Sequence, residues 1–355
     1  MSIQEILEEA VEKKAADIFL IPGMPASYRI GGRIVSRNEE KINPQKMDEL
    51  IRDFYVLADN RDMTRVQQNG DDDFSMAIPG LSRFRANVFR QRGSLAAVIR
   101  VITFELPDFR TLNIPQKVME ISKMTKGMVL VTGPAGSGKS TTLACIIDEI
   151  NRSRNAHVIT LEDPIEYLHR HNKSVVTQRE IATDTVSYVA GLRAALRQAP
   201  DVILLGEMRD EETIRTAMTA AETGHLVIST LHTVGAANTI DRIVDSFPSI
   251  QQEQIRMQLS MIMQAVVSQQ LIPGLDDKEH PAFEIMFFNN AIRSLIRENK
   301  VHQIDNVIST SQGEGMMTMD SSLLELFKAG KISKENAVVH SSNGELMEKK
   351  LARLR

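Results

Sequence analysis

The pattern of hydrophobic and polar residues differs between the two parts of this chain. In the first part, apolar residues at helical spacing predict a helix that opens with a capping box of Ser2 and Glu5, and another that opens at Pro44. Short β-rich runs between glycine and proline turns predict strands, at residues 18–21, 28–30, 33–35, 73–78, 83–92 and 95–102. We therefore expect the first part to be a mixed α+β domain.

The second part contains short apolar runs that do not alternate with polar residues, at residues 128–131, 158–161, 202–205 and 226–229. Such runs are typical of strands that are buried on both faces of a parallel sheet, and helical patterns lie between them. This order predicts an α/β domain. We expect the last hundred residues to be mostly helical, with a long helical stretch over residues 251–272 and one strand-like run at residues 284–288.

A segment with two prolines and little periodicity, residues 105–115, separates the two patterns. Such a composition predicts a linker, which we place at residues 106–115. The domains would then be residues 1–105 and residues 116–355, and a length of 355 residues agrees with two domains. Because the net charge is −4, no global basic field is present, and we expect no direct contact with nucleic acid.

Cysteine usage and hydropathy indicate the compartment of the protein. Cys145 is the single cysteine, so a four-cysteine zinc module cannot form, and we expect this residue to be a small buried side chain. The amino terminus has no basic segment followed by an apolar one, and no apolar stretch approaches the ~18 residues that span a bilayer. These features predict a cytoplasmic protein without a transmembrane segment.

A glycine-rich loop between a predicted strand and a predicted helix matches the phosphate-binding pattern G-x-x-x-x-G-K-[ST] in full. Backbone N–H groups of such a loop turn toward phosphate oxygens, Lys139 can reach the β and γ phosphates, and Ser140 can ligate Mg²⁺. The alternative, a plain turn with a surface lysine, does not explain both flanks. The predicted nucleotide-binding residues are Gly133, Pro134, Ala135, Gly136, Ser137, Gly138, Lys139, Ser140 and Thr141.

Three further strands of the second part end in residues that can carry chemistry. Glu207 follows the run 202–205, an acidic segment that includes Glu166 follows 158–161, and His232 follows 226–229. Because parallel strands end at one edge of a sheet, we expect these residues near Lys139, with Glu207 beside the Mg²⁺ that Ser140 holds. Taken alone, Glu207 could instead be a helix cap, and His232 a hydrogen-bonded residue at a strand end.

Four segments together resemble the ATPases of type II and type IV secretion. The segments 133–140, 160–166, 206–210 and 219–233 are similar, in order and in spacing, to the Walker A, Asp box, Walker B and His box of that superfamily. Within it, the chain most resembles the retraction ATPases of the type IV pilus. That closer resemblance rests on residues 291–298 and on the lack of the zinc-binding cysteines that are common in assembly ATPases.

This resemblance implies a RecA-like P-loop NTPase domain preceded by a smaller PAS-like α+β domain. It implies a Mg²⁺-dependent ATPase that works as a homohexamer, with Glu166 as the catalytic glutamate of the Asp box and Glu207 as the Walker B acid. The implied function is to power pilus retraction and twitching motility. The implied partner is a pilus platform protein of the inner membrane, which would bring the cytoplasmic motor to the inner face of that membrane.

The resemblance also implies that arginines of the first domain contact the nucleotide, namely Arg85 and Arg100 with Arg83 as a third candidate. The residue pattern agrees, because an arginine inside an apolar strand needs an anionic partner. The alternative is that these arginines pair with the acidic run at residues 71–73. Within residues 291–298, helical spacing predicts Ile292 inward and the arginines Arg293 and Arg297 outward.

Three other functions stay open at this point. A pilus-assembly or other secretion ATPase would share the four motifs, and a nucleotide-gated structural ring would bind ATP with little turnover. A DNA-acting enzyme of the same fold is the third alternative. The acidic net charge of −4 and the missing zinc cysteines count against the first and third of these.

Overall fold

The computed structural model describes residues 2–102, 106–276 and 278–353. The contacts between residues divide the chain into two compact units. The first unit consists of Met1–Glu105 together with Glu166–Leu168, and the second consists of Leu106–Ile165 together with His169–Arg355. Glu105, with which the proline-punctuated segment of the sequence begins, lies outside the described residues.

The first unit is an antiparallel sheet with helices packed on it. Its strands are β1 (Asp17–Leu20), β2 (Ser27–Ile30), β3 (Arg33–Ser36), β4 (Asp71–Ile78), β5 (Ser82–Gln91) and β6 (Ser94–Ile102). They lie in the order β3-β2-β1-β6-β5-β4, and each neighbouring pair is antiparallel. The helices are α1 (Ile3–Glu12), α2 (Pro44–Leu57) and α3 (Thr64–Asn69).

Local sequence signals explain these elements. The predicted capping box is confirmed, because Ser2 Oγ accepts a hydrogen bond from Glu5 N while Ser2 N donates to the Glu5 carboxylate. Along β5, Phe84, Ala86 and Val88 are fully buried and belong to the core of this unit. The intervening side chains of β5 are less buried, so the predicted alternation is confirmed and the arginines lie on the other face.

The second unit is built on a seven-stranded sheet in the order β13-β12-β7-β11-β10-β8-β9. The strands are β7 (Gly127–Thr132), β8 (His157–Glu162), β9 (Val175–Glu180), β10 (Val202–Leu205), β11 (Leu226–Leu231), β12 (Met263–Pro273) and β13 (Glu279–Phe287). All neighbours are parallel except β12 and β13. The four strands that apolar runs predicted are all present at the centre of this sheet.

Helices cover both faces of this sheet. They are α4 (Gln116–Met119), α5 (Lys139–Ser153), α6 (Tyr188–Ala195), α7 (Glu211–Glu222), α8 (Ala236–Asp245), α9 (Ser249–Ile262), α10 (Asn290–Arg297), α11 (Ile304–Thr310), α12 (Met319–Lys328), α13 (Lys334–Val339) and α14 (Gly344–Ala352). Successive residues of β7 belong to different cores. Val129 packs with the residues of α5, whereas Met128 and Leu130 pack with those of α7, α8 and α9. This arrangement explains the unalternated apolar runs.

The predicted long helix over residues 251–272 is wrong in its second half. Helix α9 ends at Ile262, and strand β12 begins at Met263 and pairs with β7 on one side and β13 on the other. Because β12 is covered on both faces, Val266 and Val267 are both completely buried. Valine pairs of this kind favour a buried strand over a helix, and glutamines on either side of them hide that signal.

Candidate active site

The phosphate loop, residues 133–138, joins β7 to α5. Gly138 caps α5 in the left-handed conformation with φ 84°, and no side chain caps this helix end. A helix N-terminus of this kind, at the end of a glycine-rich loop, is a common binding site for anions. Lys139 Nζ donates to the carbonyl oxygens of Gly133 and Pro134, at 2.8 Å each, so the lysine lies along its own loop.

The loop packs closely on strand β12 through Gln269. A Cβ atom at Gly133, where φ is 141°, would lie 2.1 Å from the carbonyl oxygen of Gln269, so only glycine fits. The Gln269 side chain is 3% exposed, and its Oε1 accepts a hydrogen bond from Thr142 Oγ1 at 2.7 Å. The sequence did not single out Gln269, because the residue was assigned to a helix.

Glu207 and His232 lie together at the carboxyl edge of the sheet. Glu207 follows β10, and His232 begins the histidine loop, residues 232–235, that joins β11 to α8. His232 Nε2 is 3.5 Å from Glu207 Oε2, and the Glu207 side chain is only 12% exposed. The strand ends are also tied to each other, since Thr230 Oγ1 donates to Gly206 O at 2.6 Å. The structure thus brings together two of the predicted catalytic residues.

Arg209 is a third member of this group that sequence reasoning missed. Its Nε lies 2.6 Å from Glu207 Oε2. The hydrogen bond to Glu207 raises the pKa of the Arg209 guanidinium, and the charge of Glu207 adds to the effect. The partly buried Tyr188 lies near the same acids, and its pKa is raised first by burial and then by the charges of Glu207 and Asp163. Within this group, Arg209 is the cation that faces the Glu207 carboxylate.

Glu166 follows the end of β8 along the chain, as expected, but it belongs to the first unit. The end of β8 and the residue just before Glu166 make hydrogen bonds within the second unit. Thr160 Oγ1 donates to Glu162 Oε1 at 2.6 Å, and Ile165 N donates to Glu180 Oε2 at 3.1 Å. The structure consequently does not place Glu166 in the same unit as Glu207 and His232, and its catalytic role stays a prediction.

Arg85 and Arg100 lie opposite each other on β5 and β6 of the first unit. They line a cavity of 250 Å³ together with Asp17, Asp73, Asn87 and Val98. Arg100 Nε donates to Asp17 Oδ1 at 3.0 Å, and Arg29 Nε donates to the other oxygen of Asp17 at 2.9 Å. Two facing arginines repel each other, and two carboxylates, Asp17 and Asp73, lie in the same cavity.

Within the acidic run at residues 71–73, which is the alternative partner for the arginines, Asp72 is bound by other residues. Asp72 is buried, and both of its carboxylate oxygens accept hydrogen bonds from Arg61, at 2.9 and 3.0 Å. Tyr55 donates a third hydrogen bond to Asp72 at 3.0 Å. Arg100 pairs with Asp17, whereas Asp73 of this run lines the same cavity as Arg85 and Arg100, so the alternative stays open for Asp73.

A cavity of 420 Å³ opens beside the phosphate loop within the second unit. Gly138, Thr141 and Gln269 line its inner side, and His280 and Lys331 line another part. Its volume lies in the range that pockets for small ligands have, roughly 300 to 1,000 Å³. His280 is 6% exposed, and its Nε2 is 2.9 Å from Asp276 Oδ1, so the wall of the cavity is ordered by a hydrogen bond.

Two other expectations can be compared with the structure. Cys145 is buried, as predicted, and burial raises the pKa of its thiol to about 11, with the charges of Asp148 and Asp108 adding to the effect. Arg293 is predicted to point outward, but in the structure its side chain lies against neighbouring residues. Its Nη1 donates to Ser260 O at the end of α9, and its guanidinium lies 5.6 Å from the ring centre of Phe288.

His169 makes the stability of the second unit depend on pH. Burial lowers the pKa of this histidine from 6.5 to about 4, and its Nδ1 has no hydrogen-bond partner among the described residues. The unfolded chain therefore binds a proton that the folded chain excludes. This contribution to stability is complete above pH 6.5 and is lost as the pH falls toward 4.

We expect His169→Gln to weaken this pH dependence, because the glutamine does not titrate. Between pH 7.5 and pH 5 the histidine should cost the wild type about 2 kcal/mol of unfolding free energy that the variant keeps. Denaturant titrations of both proteins at the two pH values measure the difference. Equal losses in the two proteins would contradict the assignment.

Among the described residues, no helix is long and apolar enough to cross a membrane. Nor does any group of three or more histidine, cysteine, aspartate or glutamate side chains in residues 2–102, 106–276 and 278–353 have the geometry of a metal site. Mg²⁺ in nucleotide enzymes is commonly held by one or two protein oxygens together with substrate phosphates and water. Ser140 and Glu207 offer a donor set of that kind.

Comparison with known proteins defines the class of the chain. Residues 1–347 match the family described as Type II/IV secretion system protein. The chain therefore belongs to this family. Two relatives are the "Type IV pilus retractation ATPase PilT" of Pseudomonas aeruginosa and the "Twitching motility protein" of Neisseria gonorrhoeae. The first is 43% identical over 95% of this chain and 97% of its own length, the second 50% identical over 79% and 75%.

A crystal structure of the pilus retraction motor PilT with bound ADP has the same fold. It is 46% identical in sequence and superimposes with a TM-score of 0.89 over 98% of this chain and 99% of its own. The resemblance to retraction ATPases is thereby confirmed. The predicted fold class is confirmed as well, with a small amino-terminal unit ahead of a P-loop ATPase unit.

Proposed function

We propose that this chain is an ATPase motor that powers retraction of a type IV pilus. The observation that carries the proposal is the arrangement of the second unit, where the N-terminus of α5 with Lys139, and the residues Glu207 and His232, lie at one edge of a parallel sheet. That edge is where α/β sheets bind nucleotides. Support for retraction in particular comes from the relatives, one named for pilus retraction and one for twitching motility.

ATP would lie with its phosphates on the phosphate loop and its nucleoside in the adjacent cavity of 420 Å³. Support for this placement comes from the glycine-rich loop at the N-terminus of α5 and from the ADP that the similar motor binds. Lys139 would leave the carbonyl oxygens of its own loop and donate to the β and γ phosphates. Thr141, which also lines the cavity, would contact the nucleotide from the first turn of α5.

Hydrolysis would proceed by in-line attack of water on the γ phosphate. Ser140 and Glu207 would hold a Mg²⁺ ion, which supplies neutralisation of the phosphate charge when it is bound. Glu166 would polarise the attacking water. Glu207 and His232 would keep the edge of the site polar. His232 Nε2 lies 3.5 Å from the Glu207 carboxylate, so the histidine would respond to a change at that carboxylate.

Arg85 and Arg100 would stabilise the charge that develops on the phosphates. Their opposed positions on β5 and β6 place two guanidinium groups in one cavity of the first unit, where Asp17 is shared between Arg100 and Arg29 and Asp73 also lines the wall. Arginines that reach a transferring phosphate accelerate P-loop enzymes by roughly 10³ to 10⁵. We propose that nucleotide contacts of this kind, repeated around a homohexamer, drive a platform protein at the inner face of the cytoplasmic membrane.

A complementation experiment tests the proposal. We expect the wild-type chain to restore twitching motility to piliated cells that lack their own retraction ATPase, and Lys139→Ala to restore none, because its phosphate loop lacks the charge that binds ATP. Motility and steady-state phosphate release are measured for both proteins. ATP turnover without any restored retraction, at normal expression, would point to another secretion motor. ATP binding with no turnover would point to a structural ring.

A further inference from the structure

Two neighbouring residues of β12 each hold one loop of the active site. Side chains alternate between the faces of a strand, so Ser268 and Gln269 project from opposite faces of the sheet. Val266 packs in the core that contains α8, and Val267 packs in the core that contains α5. By the same alternation, Ser268 faces the helix that follows the histidine loop. Gln269 faces the helix that follows the phosphate loop.

Gln269 packs against the phosphate loop at Gly133 and Gly138, and it is hydrogen-bonded to helix α5 at Thr142. Its carbonyl oxygen is in van der Waals contact with Gly133, where an added Cβ would approach to 2.1 Å. Its Nε2 would lie 2.9 Å from a Cβ at Gly138, which closes the other end of the loop. Its Oε1 accepts the hydrogen bond from Thr142 Oγ1, and Thr142 is completely buried. A movement of the loop therefore has to displace Gln269 or break this bond.

Ser268 holds the histidine loop. Its Oγ accepts a hydrogen bond from Gly235 N at 3.0 Å, and Ser268 is completely buried. Glu284 stands directly opposite Ser268 on β13, and its Oε1 accepts a hydrogen bond from Ala236 N at 2.6 Å. Helix α8 has no capping side chain of its own, since Gly235 occupies that position. The β12–β13 pair therefore caps α8 and fixes the chain just after His232.

We propose that Ser268 and Gln269 are positioning residues that couple nucleotide occupancy of the phosphate loop to the position of His232. The two residues share one peptide unit of a strand that is paired on both sides, so a shift at one is passed to the other. A nucleotide that draws the phosphate loop toward its phosphates would shift Gln269. Ser268 would shift with it, and the histidine loop would move relative to Glu207. The inference rests on nucleotide binding by this loop, and not on pilus retraction.

Hydrogen exchange with saturating ADP tests this coupling without using catalytic activity. In the wild type we expect ADP to slow exchange in peptides that cover residues 130–141 and residues 231–240. In Gln269→Met, which keeps the length of the side chain but cannot accept from Thr142, the first peptide should still respond at saturation. The response of the second should shrink by about fivefold or more, the lower range of typical coupling between sites.

Gln264→Met is the matched control, because Gln264 lies near the opposite end of β12, where its side chain faces Gly127 at the start of β7. Both peptides should respond in it as in the wild type. Ser268→Ala removes the acceptor for Gly235 N, and we expect it to lower kcat while the affinity for ADP is kept. If thermal melting shows that Gln269→Met does not fold, Thr142→Val breaks the same hydrogen bond from the other side.

An undiminished response of residues 231–240 in a folded Gln269 or Thr142 variant would overturn the coupling. So would an equal weakening of ADP binding in Ser268→Ala, since that would make the serine a plain structural residue. A wild type that shows no ADP response at residues 130–141 would instead contradict nucleotide binding itself. The two failures are therefore distinguishable.

Discussion

Replacing Glu207 by glutamine is expected to lower the rate of ATP hydrolysis by about a hundredfold or more, while ATP remains bound. The side chain keeps its size but loses the charge that faces Arg209 and His232 at 2.6 and 3.5 Å. Glu207 would hold the Mg²⁺ that neutralises the phosphates, and removal of one group of such an electrostatic site commonly costs a factor of ~10² to 10³ in rate. Steady-state phosphate release gives the turnover, and titration with a fluorescent ATP analogue gives the affinity.

Glu253→Gln is a suitable control for this variant. Glu253 is exposed on α9, in the same unit and outside the four motif segments, and the substitution removes the same single charge. Its turnover and its affinity should match the wild type. Wild-type turnover in Glu207→Gln would remove this residue from the catalytic group, whereas a parallel loss of ATP binding would limit its role to holding the nucleotide.

Replacing Gly133 by alanine is expected to abolish tight nucleotide binding. The new Cβ would meet the carbonyl oxygen of Gln269 at 2.1 Å, and the backbone φ of 141° is itself unfavourable for alanine. Because the obstacle is backbone and not a movable side chain, β7 and β12 or the loop have to shift. Strain of this kind costs roughly 1 to 3 kcal/mol, so we expect the Kd for ADP to rise by about 5- to 150-fold.

Gly330→Ala separates loss of the site from general destabilisation. Gly330 also has a positive φ of 65°, but an added Cβ there has no atom within 4 Å. It should cost about 1 to 2 kcal/mol of stability from the left-handed backbone alone and leave ADP affinity as it is. Calorimetry of both variants with ADP measures the contrast. Normal ADP binding by a folded Gly133→Ala protein would show that the loop does not form the nucleotide site.

The sequence predicts those parts of the fold that local chemistry determines. Apolar runs located the four central strands of the second unit, because residues buried on both faces leave no other pattern. The alternation of Phe84 and Ala86 with arginines located β5 and its exposed face. The glycines and lysine of the phosphate loop were found because their spacing reflects a fixed geometry with a phosphate group.

What the sequence missed are features that depend on contacts between distant residues. Strand β12 was taken for helix because glutamines surround its valine pair, and only pairing with β7 and β13 explains it. Asp17 could not be assigned to Arg100, since 83 positions separate them along the chain. Ser268 and Gln269 carry no motif of their own, and they gain importance only because two loops close on them from opposite faces.

Because Cys145 is buried, this protein is well suited to fluorescence labelling at chosen positions. This residue is the one cysteine in the sequence, it is buried, and its pKa of about 11 keeps it in the unreactive thiol form near neutrality. Maleimide dyes should therefore react only with cysteines that are introduced by design. Substitutions at the exposed positions Ile34 and Ile250, one in each unit, would place a donor and an acceptor dye that report how their separation changes during turnover.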